Sequence, residues 1–129
     1  MSLIVERSDL FAQHFPNFPR DDKVKIAEFI IHCQTHGLNG LPGKIRASDN
    51  VPGTDPDYYE KLRYARDNYL WHYHIGIPRY EQPTPWLPYF TSEYVLHFQR
   101  FPGNKVIRIV DLGDHNPMVL PQKSYMIRS

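Results

Sequence analysis

Two histidines separated by one residue, His72 and His74, are the residues of this sequence best suited to proton transfer or metal binding. They lie in an apolar and aromatic segment, residues 70–77, whose composition predicts a β-strand. Successive side chains of a strand point to opposite faces, so the two imidazoles share one face, about 7 Å apart. The alternating aromatic and aliphatic residues of the segment share the other face, which we expect to be buried: Trp71, Tyr73, Ile75 and Ile77. An exposed sheet face also tolerates histidine, and an H-x-H pair on a strand is a common way to hold a metal.

A predicted β-hairpin adds two more side chains to the histidine face. Residues 94–99 and 105–112 alternate as strands do, and Phe101-Pro102-Gly103-Asn104 is a turn signal between them. His97 lies opposite the apolar side chains of the first strand, and Arg108 lies opposite those of the second. The sheet is therefore predicted to present His72, His74, His97 and Arg108 on one face, and a β-bulge in any strand would break this parity.

The other helices, strands and loops are predicted from the positions of Gly and Pro and from the spacing of apolar residues. Residues 3–5 indicate an edge strand, and an amphipathic helix runs from Asp21 or Asp22 to a C-cap at Gly37. A loop punctuated by Gly and Pro follows over residues 37–57. Residues 58–66 are either a helical turn or the start of a strand.

Two segments near the end of the chain complete this outline. Pro78 to Pro88 form a Pro-rich excursion unsuited to a central strand. The weak alternation of residues 123–129 indicates a last strand. The chain is expected to be a single domain over residues 1–129.

Composition excludes several classes of protein. The 129 residues are 41% hydrophobic with a net charge of +1, so the chain is neither compositionally disordered nor a polycation. We find no transmembrane segment and no signal peptide, and Cys33 is the single cysteine, all of which favour a cytoplasmic protein without a membrane partner. Residues 98–129 are locally basic and are candidates to face phosphate: Arg100, Lys105, Arg108, Lys123 and Arg128.

Histidines beside an arginine suit the cleavage of RNA. A neutral imidazole takes the proton of the 2′-hydroxyl, this oxygen attacks the adjacent phosphorus, and an acid protonates the departing 5′-oxygen. Cationic side chains stabilise the charge of the transition state. This chemistry needs no metal or other cofactor, because the substrate carries its own nucleophile. Walker, G-x-S-x-G, H-E-x-x-H and paired C-x-x-C motifs are absent.

The order of motifs resembles the YafO-like branch of the RelE/ParE superfamily of toxin–antitoxin toxins. The resemblance covers about two thirds of the chain, from Gly40-Leu41-Pro42 after the helix to Met126-Ile127. Its most specific part is the His72-Tyr73-His74-Ile75 strand, followed by Thr91-Ser92-Glu93 and later by the lone His115.

The resemblance implies a small α+β fold, in which N-terminal helices pack on one face of a curved antiparallel sheet and the other face carries the site. It also implies an endoribonuclease that cuts messenger RNA on the translating ribosome and is silenced by an antitoxin protein, with which it forms a hetero-oligomer. His72, His74 and His115 match family positions, and Arg108 and Tyr125 are looser matches. We expect His72 or His74 to be the base, His115 or Tyr125 the acid, and Arg108 the stabiliser of phosphate. His97 is added by strand parity as a substrate-binding residue.

Two other functions are compatible with the same residues. A ParE-like toxin or non-catalytic binding module would inhibit a protein target without RNA chemistry. A metal-dependent enzyme would use His72, His74 and either His97 or His115 as ligands.

Overall fold

A computed structural model describes residues 2–115 and 118–129 as an α+β protein built on a five-stranded sheet. The strands are β1 (Ile4–Arg7), β2 (Ile45–Ala47), β3 (Leu70–Ile77), β4 (Tyr94–Arg100) and β5 (Val106–Asp114), arranged in the order β1-β5-β4-β3-β2. The helices are α1 (Asp9–His14), α2 (Arg20–His36) and α3 (Tyr58–Asp67), and short 3-10 turns lie at Phe15–Asn17 and Lys123–Met126. No described helix combines the length and the apolar character needed to cross a bilayer.

The sheet is mixed, so the prediction of a wholly antiparallel sheet is wrong at one edge. β1 pairs in parallel with β5, whereas β5, β4, β3 and β2 pair antiparallel. Parallel neighbours require a long crossover connection. Here almost the whole chain, including all three helices, lies between β1 and β5.

The N-terminal helices form as predicted and cover one face of the sheet. Ser8 caps α1 by accepting a hydrogen bond from the backbone N–H of Phe11, and α2 ends at Gly37, whose φ of 70° suits glycine. The apolar sides of α1 and α2 pack with the odd-numbered residues of β3 in one core. Cys33 belongs to this core, and burial raises the pKa of its thiol to about 12, consistent with packing rather than nucleophilic chemistry.

The opposite face of the sheet is divided into an apolar and a polar part. At one end, Leu70 and Val110 pack with Ala65 of α3 and with Met126 from the C-terminal turn. The histidines lie further along the same strands, where His72, His74 and His97 are also buried. The apolar cluster with α3 and the C-terminal turn therefore adjoins the histidines on this face.

A bulge interrupts the pairing of β4 with β5. His97 pairs with Asp111 and Phe98 with Ile109, so Val110 is the extra residue. The bulge lets both Ile109 and Leu112 reach the main core, which strict alternation would forbid. A second irregularity in β3, between His74 and Ile77, includes Gly76 at a φ of 79°.

Three local predictions are settled by the structure. The segment from Tyr58 is a helix, one of the two options left open. The 37–57 loop contains the short strand β2, which was missed because Gly and Pro dominate its surroundings. The expected strand over residues 123–129 is wrong, since this segment forms a 3-10 turn that packs Met126 against α3 and the sheet.

Candidate functional site: a cluster of four histidines

Four imidazoles meet where β3, β4 and the end of β5 lie side by side. His72 lies beside His74, His97 and His115, with ring centroids 5.9, 6.4 and 5.9 Å away, and His74 and His115 are only 4.6 Å apart. One ring nitrogen from each of His72, His74 and His115 lies within 4.8 Å of the other two. We refer to these four residues as the histidine cluster.

Two serines hold the strand histidines in place. Ser48 Oγ shares a hydrogen bond of 2.9 Å with Nδ1 of His72. The backbone of Ser92 engages Nδ1 of His74 twice: its N–H donates at 3.0 Å and its carbonyl oxygen lies 3.1 Å away. The N–H suits an unprotonated Nδ1 and the carbonyl suits a protonated one, so Ser92 accommodates either tautomer of His74. Both histidines use Nδ1 for these contacts, which leaves Nε2 for other partners.

His97 forms the buried floor of the cluster. Its side chain is 1% exposed, and neither ring nitrogen has a hydrogen-bond partner among the described residues. Its Nε2 lies close to Gly113 of β5, where a Cβ would be 3.6 Å away. Buried polar atoms in proteins are usually paired, so an imidazole held this way calls for a functional explanation.

Burial keeps His72, His74 and His97 neutral at physiological pH. Desolvation, with a smaller contribution from the neighbouring histidines and Lys44, lowers the pKa of His72 to about 3. Desolvation likewise lowers the pKa of His74 and of His97 to about 4 each, although the hydrogen bond to Ser92 opposes this effect at His74. Neutral imidazoles have a free lone pair and can accept a proton or bind a metal.

An open cavity of about 390 Å³ gives access to the cluster. Among the histidines, His74 and His115 line it, and the remaining wall is formed by Lys44, Glu81, Thr91, Ser92 and Glu93. The backbone of Lys44 is held in place because its carbonyl accepts a hydrogen bond from the backbone N–H of His74. The Lys44 ammonium lies 5.1 Å from the ring centroid of Tyr89. His74 and His115 are thus the cluster members that a molecule in this cavity meets first.

Arg108 and Tyr125 make contacts with residues other than His72, His74 and His97. The guanidinium of Arg108 donates to Glu6 at 3.0 and 3.1 Å and to the Met126 carbonyl at 3.1 Å. Arg108 is on the predicted face of the sheet, but its backbone lies opposite Gln99 of β4 rather than opposite His97. Its charge is neutralised by the ion pair with Glu6. The ring of Tyr125 packs against the ring of His14, with the ring centroids 5.9 Å apart. Arg108 therefore pairs with Glu6 rather than with a histidine of the sheet, because strand parity fixes the face of a strand residue but not its position along the strand.

The other predicted phosphate-binding residues are scattered. Arg100 stacks over Trp71, and Arg128 lies 3.5 Å from Glu6. Lys123 donates to Asn68 at 2.6 Å, and Lys105 is in the β4–β5 turn, where its carbonyl pairs with β1. These cations do not form one basic surface around the cluster, and Lys44 is the cation that lines its cavity.

Sequence reasoning missed the residues that position the histidines. Ser48 and Ser92 carry no signal of their own, although Ser92 belongs to the Thr91-Ser92-Glu93 motif and its contact with His74 gives that motif a physical role. Lys44 lies in the segment predicted as a loop, residues 37–57, and was not among the predicted site residues. It is brought to the site by β2, the strand that sequence reasoning did not find.

Comparison of the chain with models of protein families, with curated proteins and with solved structures found no match. The family resemblance therefore depends on the order of motifs in the sequence, and the site has to be argued from its own geometry.

Proposed function

We propose that this protein is an endoribonuclease toxin of a toxin–antitoxin system, similar to YafO-like members of the RelE/ParE superfamily, which acts in the cytoplasm on messenger RNA at the ribosome. The observation that carries the proposal is the convergence of His72, His74 and His115. These are the three histidines that match the family motifs, and His115 comes from a part of the chain distant from the β3 pair. The α+β fold, with α1 and α2 on the sheet face opposite the histidines, also supports the proposal.

In the proposed reaction, His74 is the base and His115 is the acid. Nε2 of His74 takes the proton of a 2′-hydroxyl while Nδ1–H donates to the Ser92 carbonyl, so the imidazolium that forms is stabilised as it appears. The 2′-oxygen bonds to phosphorus and the bond from phosphorus to the 5′-oxygen breaks. Protonated His115 gives its proton to that oxygen, leaving a 2′,3′-cyclic phosphate and a 5′-hydroxyl, and solvent restores both protonation states.

The remaining groups of the site support this reaction electrostatically. His72 and His97 lie behind the reacting pair and keep it desolvated. Lys44, rather than Arg108, is proposed to stabilise the extra negative charge on the phosphate, because it lines the cavity and Arg108 is bonded to Glu6.

The charge of the cavity bears on how RNA reaches it. Glu81 and Glu93 line the cavity with Lys44, and the whole chain carries a net charge of only +1. Affinity for free RNA is therefore expected to be low, since phosphate contacts dominate RNA binding. We propose that the ribosome presents the messenger RNA and supplies most of the binding energy, and that an antitoxin protein blocks the cavity.

Induced expression with mapping of messenger RNA 5′ ends tests this function. Wild type is expected to arrest growth and to create new ends in register with codons, and His115→Gln is expected to abolish both. His36→Gln is the matched control, because His36 is an exposed histidine on α2. Arrest without new ends would favour the protein-inhibiting alternative, and arrest that persists in a folded His115→Gln protein would refute the assigned acid.

A further inference from the structure

We propose that His72, His74 and His115 form a binding site for one d-block divalent cation, of which Zn²⁺ is the representative ion. The site goes beyond the nuclease function and does not depend on it. Because a bound ion would occupy the nitrogens of His74 and His115 that the proposed proton transfers use, the metal-bound protein is predicted to be inactive as a nuclease. It follows from the placement of three nitrogen donors within 4.8 Å of one another and from the second contacts that two of the rings make.

The spacing of the nitrogens is close to that of a three-histidine zinc centre. Zinc–nitrogen bonds of 2.0–2.1 Å at tetrahedral angles place ligand nitrogens about 3.3 Å apart. The largest separation here is 4.8 Å, so ring rotations that close the set by about 1.5 Å complete the geometry. The backbone of all three ligands is held, His72 and His74 within β3 and His115 by its N–H bond to the Glu93 carbonyl, so the closure involves side-chain rotation.

The hydrogen bonds around the rings are those expected for metal ligands. A ligating imidazole normally uses its second nitrogen to donate to a carbonyl or another polar group, which fixes the tautomer and the ring orientation. Nδ1 of His74 lies 3.1 Å from the Ser92 carbonyl and 3.0 Å from the Ser92 N–H, and a bound ion would select the tautomer that donates to the carbonyl. Nδ1 of His72 lies 2.9 Å from Ser48 Oγ. Each of these two rings can therefore present Nε2 to an ion.

The surroundings of the site also suit a cation. Glu81 and Glu93 line the adjoining cavity, and their formal charges outnumber that of Lys44 there. His97 lies beside His72 with both ring nitrogens unbonded among the described residues, so it presents a further lone pair beside the triad. The open side of the cavity leaves room for water or another ligand in a fourth position.

A second histidine pair must be removed before binding is measured. His32 and His36 lie one turn apart on α2, with ring centroids separated by 5.2 Å, and can bind an ion weakly at the surface. The His32→Gln/His36→Gln protein is therefore the reference. Chelator-treated reference protein is titrated with Zn²⁺ by calorimetry and with Co²⁺ by visible absorption, without RNA.

The proposal predicts that the reference protein binds one ion per chain and that adding His115→Gln weakens binding by more than the roughly 10- to 100-fold typical of losing an outer-shell partner. Co²⁺ is also expected to broaden the NMR signals of the His72, His74 and His115 imidazoles in the reference protein. This measurement needs no substitution in the histidine cluster. If the reference protein binds no ion, or if adding His115→Gln leaves the affinity unchanged while the chain stays folded, the proposed site is wrong. Because these titrations contain no RNA, their failure is distinguishable from failure of the nuclease proposal.

Discussion

Acid should destabilise this protein far more steeply than its composition suggests. His72, His74 and His97 are 4%, 2% and 1% exposed, and burial lowers their pKa values to about 3, 4 and 4 in the folded state. In the unfolded chain they titrate near the ordinary histidine value of about 6.5. Below that pH the unfolded state binds more protons, so stability falls as the pH is lowered toward the folded-state values.

The size of this effect follows from the linkage between protonation and folding. Between pH 7.5 and pH 5.5, each buried neutral histidine costs about 1.4 kcal/mol of the free energy of unfolding. The three together cost about 4 kcal/mol, a large share of the roughly 5–15 kcal/mol that stabilises an ordinary domain. With an urea m-value of about 2 kcal/mol per molar, the unfolding midpoint should fall by about 2 M.

Urea unfolding at the two pH values, in the presence of a chelator, measures this difference. His97→Leu should retain the stability of wild type at pH 7.5, since no hydrogen bond to His97 is lost among the described residues, and should reduce the pH-dependent loss by about a third. His36→Gln, at an exposed position, should leave the loss unchanged. A loss below about 1 kcal/mol in wild type would refute the conclusion that these histidines are buried and neutral.

Three substitutions test how the site is held and what it does. Ser48→Ala should lower the free energy of unfolding by about 1–3 kcal/mol, measured by urea titration, because it removes the bond to Nδ1 of buried His72; unchanged stability would contradict that bond. Gly43→Ala should destabilise the fold and impair cleavage together, because a Cβ at this position would overlap the His74 carbonyl, and a variant with a wild-type melting curve would contradict this packing. Lys44→Ala should reduce the rate of messenger RNA cleavage at least 10-fold with little change in stability, whereas an unchanged rate would exclude it as the phosphate stabiliser.

Local patterns predicted most of the elements that carry the site. Alternation on β3 and β4 assigned His72, His74 and His97 to one face, and the turn signal at Gly103 located the hairpin. These succeed because strand parity and turn chemistry are properties of short stretches of sequence. The helix α2 was found for the same reason, from its spacing and its glycine C-cap.

The position of residues along a strand required the structure. The bulge at Val110 and the pairing of Arg108 with Gln99 have no sequence signal, and they separate Arg108 from the histidines. Its partner Glu6 is 102 residues away and reaches it only because β1 pairs in parallel with β5. Long-range pairing of this kind is decided by the packing of the whole sheet.

The environment of the histidines was also beyond sequence reasoning. Whether a strand face is exposed to solvent depends on the elements that pack against it. Here α3 and the C-terminal turn adjoin the face that carries His72, His74 and His97, and these three histidines are buried. Burial rather than residue type sets the neutral state of His72, His74 and His97.

The most direct test of the proposed chemistry uses a messenger RNA with a single 2′-deoxynucleotide at a mapped cleavage site, presented on a translating ribosome to the purified protein. The proposed mechanism predicts that cleavage at that position disappears, that it persists at unmodified sites, and that the products there end in a 2′,3′-cyclic phosphate and a 5′-hydroxyl. Efficient cleavage at the 2′-deoxy position would contradict the account, because it would show that the nucleophile is not the substrate's own hydroxyl.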